Sequence, residues 1–360
     1  MEEEMNYILN LKDVDKGSLP LVGGKNASLG EMIRAGIRVP PGFALTTDSY
    51  LSFVTKTGIN DKVFQILSGL NPDDVNALND VSARVQDMIK SALMSEEVKT
   101  AIETGYSELC SECSVENVPV AVRSSATAED LPSASFAGQQ DTYLWIEGAD
   151  QVIESVQKCW ASLFTARAIS YRIKNDFPHE KVLISVGVQK MVNARAAGVM
   201  FTLNPTDGDI SKVVIEGSWG LGETVVSGSV NPDKFVVDKV MMETSERKIS
   251  TKHIECVYDP QKGKVVNAAV NEDMQCTCCL ENLEVKELVK LANTIEAHYG
   301  CPMDIEWAID KNLPLPENMF IVQARPETVW SRRKQEPVIG KKSGYQLLME
   351  QAMTRIKIKQ

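Results

Sequence analysis

The chain has 360 residues, 43% hydrophobic and 24% charged, so it can form one large domain or two ordinary ones with their own cores. Its formal net charge of −11 argues against non-specific binding to nucleic acids, because their phosphate backbone attracts basic surfaces. No apolar run approaches the ~20 residues that span a bilayer, and the acidic start Met1–Met5 lacks a signal-peptide pattern. We therefore expect a cytoplasmic protein with neither a membrane nor a nucleic acid as partner.

The first part of the chain has mostly helical periodicity, interrupted by short strands. Gly23-Gly24-Lys25 opens the first helix, and Gly36 stands where a helix C-cap glycine belongs. Val118–Val122 alternates as a strand that ends at Arg123. The other predicted elements are a strand over 43–45, a helix capped by Thr47, helical sequence over 72–109, a strand over 141–146 and one long amphipathic helix over 149–174.

The second part is richer in strands. Strands are predicted over 182–192, 197–203, 212–215, 234–238, 303–310 and 319–324, with a helix over 285–298. We therefore predict an α+β chain with a helix-rich N-terminal lobe (residues 1–195) and a sheet-rich C-terminal lobe (residues 196–330), followed by a basic linker and C-terminal tail (residues 331–360). Clefts between two such lobes are common ligand sites.

Two segments of the first lobe are suited to phosphate. The glycines before Lys25 let backbone N–H groups approach a phosphate at a helix N-terminus, and the lysine adds a positive charge. A tight turn with a surface lysine is the alternative, and the absence of GxxxxGK[ST] excludes a P-loop. Arg123 suits bidentate phosphate contact, and the small-residue loop over 126–140 could cover a triphosphate, although a solvent loop with a structural arginine remains open.

Two predicted strands of the second lobe carry polar residues at alternate positions. Asp304 and Glu306 share one face, which suits a hard cation such as Mg²⁺, although an isolated strand of this pattern is more often a solvated edge. Gln323 and Arg325 also share a face. If the two strands pair, an acid, an amide oxygen and a guanidinium converge and can hold Mg²⁺ and neutralise phosphoryl charge.

The eight cysteines include two clusters, one a CxxC and the other a CxCC. The residues concerned are Cys110 and Cys113, and Cys276, Cys278 and Cys279. A shared zinc site stays open as an alternative. However, the CxxC lies in a helix-like stretch without a second CxxC at zinc-ribbon spacing, so we expect ordinary thiols in a reducing compartment.

Taken together, nine segments resemble the nucleotide-binding domain of phosphoenolpyruvate synthase and pyruvate phosphate dikinase. In chain order between Leu21 and Thr328 they are VGGKNASLGEM, GIRVPPGFALTT, VAVRSSATAEDLPSASFAGQQDTYL, VQKMV, AAGVMFTLNP, GSWGLGETVVSG, PDKF, DIEWAID and FIVQARPET. Rifampin phosphotransferases share this domain, but the chain is closer to the synthase pattern.

The resemblance implies an ATP-grasp fold with ATP in the cleft and Mg²⁺ beside the phosphates. The resemblance implies that Lys25 and Arg123 contact the triphosphate and that Phe136, Ala137, Gly138 and Gln139 cover the phosphates. It implies that Gln189, Met191 and Val192 form the hinge beside adenine and that Glu216 lies near the ribose. It also implies that Glu306 and Gln323 bind Mg²⁺ and that Arg325 stabilises the moving phosphoryl group.

The departure from the family pattern matters equally. In these enzymes a swivelling domain carries the histidine that receives phosphoryl from ATP, and a third domain passes it to the acceptor. This sequence ends before either, and its own His179, His253 and His298 lack a glycine-rich, phosphate-accepting context. We therefore expect the first half-reaction only, with the histidine supplied by a partner subunit or domain.

Three interpretations remain open. The chain resembles the smaller ATP-binding subunit of phenylphosphate synthase, and Met1 and the basic tail favour such a natural subunit. It could instead be a fragment of a full-length phosphoenolpyruvate synthase or of a rifampin-phosphotransferase-like enzyme. A non-catalytic ATP-binding module is the third interpretation, against which the retained set of charged residues argues.

Overall fold

The computed structural model describes residues 6–127, 130–131, 134–135 and 141–330, and it mixes helices and sheets. The chain forms two units, Met1–Pro326 and Glu327–Gln360. Of the second unit only 327–330 are described, where the Glu327 carboxylate accepts hydrogen bonds from the backbone N–H groups of Val329 and Trp330. No helix in the described ranges is long and apolar enough to cross a membrane.

Most of the helices lie in the first half of the described chain. The α-helices there are α1 (Leu19–Arg34), α2 (Thr47–Thr57), α3 (Ile59–Leu67), α4 (Val75–Ser91), α5 (Glu96–Cys113), α6 (Ala149–Ala161) and α7 (Ala166–Lys174). The second half adds α8 (Glu223–Val226), α9 (Glu272–Gln275) and α10 (Asn282–Tyr299). The single helix expected over 149–174 is two helices, because Thr165 caps α7 by accepting a hydrogen bond from the Ala168 N–H at 3.2 Å.

Strands are spread along the whole described chain. They are β1 (Ile8–Asn10), β2 (Gly42–Leu45), β3 (Val120–Ala126), β4 (Asp130–Leu131), β5 (Ala134–Ser135), β6 (Thr142–Ile146), β7 (Ile184–Lys190), β8 (Ala194–Phe201), β9 (Lys212–Trp219), β10 (Asp233–Asp238), β11 (Thr244–Lys248), β12 (Ile254–Asp259), β13 (Lys264–Ala269), β14 (Met303–Asp310) and β15 (Met319–Pro326). Arg123 therefore lies within a strand, whereas the sequence placed it at a strand end.

Two antiparallel sheets carry most of these strands. The first sheet has the order β1-β2-β7-β3-β6, and the second has the order β11-β10-β9-β8-β14-β15. Strands β12 and β13 form a separate hairpin, and a bridge between Gly220 and Cys256 joins this hairpin to the end of β9. Because β15 is the last strand of the second sheet, one of its sides has no strand neighbour within the described residues.

Each sheet has its own apolar core, and α1 belongs to the second one. Helices α2–α7 pack on the first sheet, with Trp160 and Phe53 fully buried there. Leu29 and Met32 of α1 instead pack with Ile305 and other residues of the second sheet. Each such side chain stabilises the fold by ~1.5–3 kcal/mol when fully buried. The division into lobes at residue 195 stays a prediction, because a helix of the first part packs in the second core.

All eight cysteines are free. Cys110 is buried in the core of the first sheet and Cys279 in the core of the second. Within the described ranges, no three His, Cys, Asp or Glu side chains are grouped so that they could hold a metal ion. A zinc site shared by the two cysteine clusters therefore gains no support from their placement.

Candidate functional site

A cavity of about 500 Å³ is bounded by strands of both sheets. Clefts of ~300–1,000 Å³ are the usual size of small-molecule sites. From the first part of the chain it is lined by Lys25, Ala121, Arg123, Thr142, Leu144, Gln189, Lys190, Met191 and Val192. From the second part it is lined by Ala194, Ala197, Gly198, Leu221, Gly222, Glu223, Val226, Glu306, Trp307, Ala308, Val322, Gln323 and Arg325.

The start of α1 lies directly against the end of β3. Gly23 interrupts the helix with φ 70° and ψ 170°, and a Cβ at this position would overlap the carbonyl and hydroxyl oxygens of Ser125. Only glycine adopts this conformation without strain, so the close approach explains the residue. The Lys25 ammonium donates to the Ser124 carbonyl at 3.1 Å, and the Asn26 backbone N–H donates to the Ser125 hydroxyl at 3.4 Å.

Arg123 joins the two sheets at the cavity. Its Nη2 donates to Gln323 Oε1 at 2.7 Å and to Glu306 Oε2 at 3.1 Å, and its Nη1 donates to the Val322 carbonyl at 3.0 Å. The Arg123 and Glu306 side chains are only 19% and 24% exposed, so solvent screens this pair weakly. Within the described structure Arg123 Nε is buried without a hydrogen-bond partner.

The pairing of β14 with β15 explains which acidic and basic groups meet. Glu306 lies opposite Gln323, and Asp304 lies opposite Arg325. Arg325 binds the Asp304 carboxylate through Nε and Nη2, both at 2.8 Å. The guanidinium that contacts Glu306 and Gln323 is therefore Arg123, whereas the sequence led us to expect Arg325 in that place.

The Glu306 and Gln323 oxygens form a donor set suited to a hard cation. Both accept from one nitrogen of a guanidinium, so they already converge on positive charge. Carboxylate and amide oxygens are ligands that Mg²⁺ accepts, and Mg²⁺ usually takes one or two protein carboxylates together with phosphate and water oxygens. The residues present therefore fit Mg²⁺ that is held jointly with a phosphate.

Another part of the cavity wall comes from β7 and the residues that follow it. Gln189 is buried, and its amide nitrogen donates to the Pro40 carbonyl at 3.2 Å. Met191 follows the end of β7, where its backbone N–H donates to the Pro119 carbonyl at 2.8 Å. Val192 packs with Ala197 and Ala308. These three residues, which the sequence assigned to an adenine hinge, all line the cavity, and Met191 and Val192 make this part of its wall apolar.

Glu216 does not line the cavity, although the sequence placed it near the ribose. It lies in the middle of β9, opposite Val199 and Lys234. Among the described residues, the carboxylates of Glu306 and Glu223 line the cavity. Glu223 is the first residue of α8. Sequence reasoning missed Glu223, although it lies within GSWGLGETVVSG, one of the segments that carry the family resemblance.

The remaining predicted site residues, Phe136, Ala137, Gly138 and Gln139, lie outside the described residues. Of the loop over 126–140, the structure describes the short antiparallel pair β4–β5, in which Asp130 lies opposite Ser135. Their role in covering phosphates stays a prediction.

Comparison with known families gives one match over most of the chain. Residues 19–344 match the family model described as pyruvate phosphate dikinase, AMP/ATP-binding domain. The chain is 49% identical to a probable phosphoenolpyruvate synthase of Staphylothermus marinus over 95% of this chain and 43% of that protein. It is 45% identical to the phosphoenolpyruvate synthase of Aeropyrum pernix over 92% of this chain and 44% of that protein.

The chain thus spans less than half the length of these curated relatives. Among solved structures, the L-amino acid ligase from Bacillus licheniformis aligns with 68% of this chain and 47% of that chain. This alignment has 11% identity and a TM-score of 0.22, which is too low to establish a common fold.

Proposed function

Because the chain belongs to the family of the pyruvate phosphate dikinase AMP/ATP-binding domain, we propose that it binds ATP in the cavity between its sheets and donates a phosphoryl (pyrophosphoryl) group from it. The acceptor is a histidine on a separate swivelling domain. The observation that carries the proposal is the convergence of Arg123, Glu306 and Gln323 in a cavity that Lys25 and Arg325 also line. The two sheets would be the lobes of an ATP-grasp fold.

The chain's own residues have distinct roles in this proposal. The apolar end of the cavity around Val192 takes adenine, and Lys25 and Arg123 bind the triphosphate as cations. Arg325, held in orientation by Asp304, neutralises charge that develops on the transferring group. Mg²⁺, held by Glu306 and Gln323, would supply further neutralisation of phosphate charge. Glu223, rather than Glu216, is the carboxylate available to a ribose hydroxyl.

The transfer we propose releases AMP. An imidazole nitrogen of the acceptor histidine attacks the β-phosphorus, the bond from this phosphorus to the oxygen shared with the α-phosphate breaks, and AMP leaves with that electron pair. The histidine thus receives the β- and γ-phosphates together, as a pyrophosphoryl group. The enzyme therefore has little covalent work to do, and positioning and charge neutralisation provide the rate enhancement. The final acceptor, whether pyruvate, phenol or another compound, would bind to a domain other than this one.

The proposal requires a partner. The relatives are more than twice as long as the part that this chain matches, which supports a histidine domain acting together with it. That domain could lie on another polypeptide, as in phenylphosphate synthase, or on a longer form of the same chain, as in phosphoenolpyruvate synthase.

The test is transfer from ATP labelled at the β- or γ-phosphate, with Mg²⁺ and candidate partner proteins that carry the histidine domain. We expect label on the partner and release of AMP only when this chain is present. Glu306→Ala and Arg325→Ala should each abolish transfer, and the exposed Glu246→Ala on β11 is the matched control that should not. Tight ATP binding without transfer to any partner would favour a binding module. Full transfer by either active-site variant would refute the proposed roles of Glu306 and Arg325.

A further inference from the structure

The free side of β15 is covered by residues from the first part of the chain. Three of its outward-facing backbone groups are paired there. The Val322 carbonyl accepts from Arg123 at 3.0 Å, the Ile321 N–H donates to the Arg38 carbonyl at 3.0 Å, and the Ala324 carbonyl accepts from the Ser28 hydroxyl at 2.7 Å. The contact at Ala324 is made by the neutral Ser28 hydroxyl, and Ala324 stands between the two site residues Gln323 and Arg325.

Ser28 has a second hydroxyl partner. Tyr299, the last residue of α10, places its phenol oxygen 2.8 Å from Ser28 Oγ and 3.2 Å from the Ser28 carbonyl. The single proton of Ser28 Oγ goes to the Ala324 carbonyl, so the Tyr299 hydroxyl shares its own single proton between Ser28 Oγ and the Ser28 carbonyl. The hydrogen bonds are thus donated in one direction, from Tyr299 to Ser28 and from Ser28 to Ala324, and bonds in such a series strengthen one another.

This series of hydrogen bonds connects the two elements that carry Lys25 and the Gln323–Arg325 segment. Ser28 follows Lys25 by three residues on α1, so both lie on the same face of the helix. Ala324 is only 2% exposed, so its carbonyl would be left buried and unpaired without the Ser28 hydroxyl. A shift of the backbone at Ala324 would move Gln323 and Arg325 together, relative to Lys25.

We propose that Ser28 and Tyr299 are positioning residues that fix the register between the phosphate-binding end of α1 and the Gln323–Arg325 segment of β15. This inference rests on the proposed function, since it assumes that a nucleotide phosphate bridges these two elements. Neither residue touches the nucleotide or the metal. They act by holding the two halves of the site at the separation that one triphosphate with its cation requires.

The test compares ATP affinity with and without Mg²⁺ for the wild type, Ser28→Ala, Ser28→Thr and Tyr299→Phe. The control is Ser91→Ala, an exposed serine on α4 that bonds within its own helix at 2.6 Å. We expect Ser28→Ala and Tyr299→Phe to keep the affinity without Mg²⁺ within about twofold. The gain in affinity that Mg²⁺ provides should fall about three- to tenfold, the effect of one lost hydrogen bond.

Two further readouts separate positioning from mere folding. Ser28→Thr keeps the hydroxyl and should restore the Mg²⁺-dependent gain. In the transfer assay, which contains Mg²⁺, the alanine variant should lose kcat, and its KM for ATP should rise by no more than the roughly three- to tenfold loss of affinity seen in binding. A wild-type gain that survives in both Ser28→Ala and Tyr299→Phe would overturn the inference, as would an equal loss of affinity with and without Mg²⁺. A wild type that binds no ATP would instead overturn the proposed function itself.

Discussion

At the residue scale, Arg123 occupies the two oxygens that a cation would need. Its guanidinium holds Glu306 Oε2 and Gln323 Oε1. A phosphate group offers the arginine stronger, bidentate acceptors, so a bound triphosphate would draw it away from these oxygens. The same movement would free the oxygens for Mg²⁺. In this arrangement the nucleotide and the cation assist each other's binding.

Replacing Arg123 should therefore separate the two ligands. We expect Arg123→Gln to bind Mn²⁺, used as a probe for Mg²⁺, more tightly than the wild type without nucleotide, because the Glu306 carboxylate loses its positive partner. Its affinity for ATP should fall. Free Mn²⁺ measured by electron paramagnetic resonance gives the first quantity, and calorimetry gives the second. The double variant Arg123→Gln/Glu306→Gln should lose the gain in Mn²⁺ affinity, and if the gain persisted there the cation would have to bind elsewhere.

A second prediction at this scale concerns pH. Burial, with a smaller effect of the nearby Arg172 charge, lowers the pKa of His179 from 6.5 to about 4. Within the described chain its Nδ1 is buried without a hydrogen-bond partner. Between these two pH values the unfolded chain binds a proton that the folded chain excludes. The contribution of His179 to stability is therefore complete above pH 6.5 and declines as the pH falls towards 4.

His179→Gln removes this group and should flatten the decline. Denaturant midpoints measured at pH 7.5 and pH 5 should differ less for the variant than for the wild type. Between pH 7.5 and 8.5 the two proteins should change in parallel, because His179 is neutral there in both the folded and the unfolded state. An unchanged acid slope in the variant would show that other groups cause the decline.

At the scale of elements, the strongly alternating strands were predicted well and the interrupted ones poorly. The predicted range 303–310 agrees with β14, and 319–324 lies within β15, which continues to Pro326, because polar residues stand at alternate positions in each strand. The strand predicted over 212–215 is shorter than β9. Strand β9 continues to Trp219, and Gly217 is small because the Trp307 ring packs on it. A partner ninety residues away leaves no local signal.

One contact between elements also leads to a prediction. Trp145 in β6 has φ 60° where the pairing of β6 with β3 is irregular, and its ring stacks on Tyr258 of the β12–β13 hairpin. The ring centroids are 4.7 Å apart and the planes differ by 12°. Its neighbour Leu144 lines the cavity, so the stack connects one cavity wall to the hairpin beside β9.

We expect Tyr258→Ala to loosen this wall and to weaken ATP binding by about two- to tenfold, since such aromatic pairs contribute ~0.5–1.5 kcal/mol. Tyr258→Phe keeps the stacked ring and should bind ATP as the wild type does. Calorimetric titration with ATP measures both. If the alanine and phenylalanine variants bind equally, the stack has no part in shaping the site.

At the scale of the whole molecule, the sequence predicted the mixed α and β composition and, from motifs, the family. The motifs also identified Arg123 as a phosphate contact and Glu306 with Gln323 as a pair that binds Mg²⁺. What the sequence did not predict was the contact of Arg123 with this pair, because the two residues lie 183 and 200 positions further along the chain. It also missed that α1 packs in the second core, since helical periodicity reveals that a helix has a buried face but not which sheet covers it.

The two edges of the second sheet are protected from other chains in different ways. Strand β11, with the sequence TSERK, is exposed and charged, which discourages pairing with a foreign strand. Strand β15 is largely apolar, and its free side is satisfied by Ser28, Arg38 and Arg123 instead. The contacts that we propose align the site residues thus also shield an apolar edge strand from pairing with other chains. If the contacts of Ser28, Arg38 and Arg123 were lost together, β15 would be open to pairing with β15 of another copy of the chain, and aggregation would accompany the loss of activity.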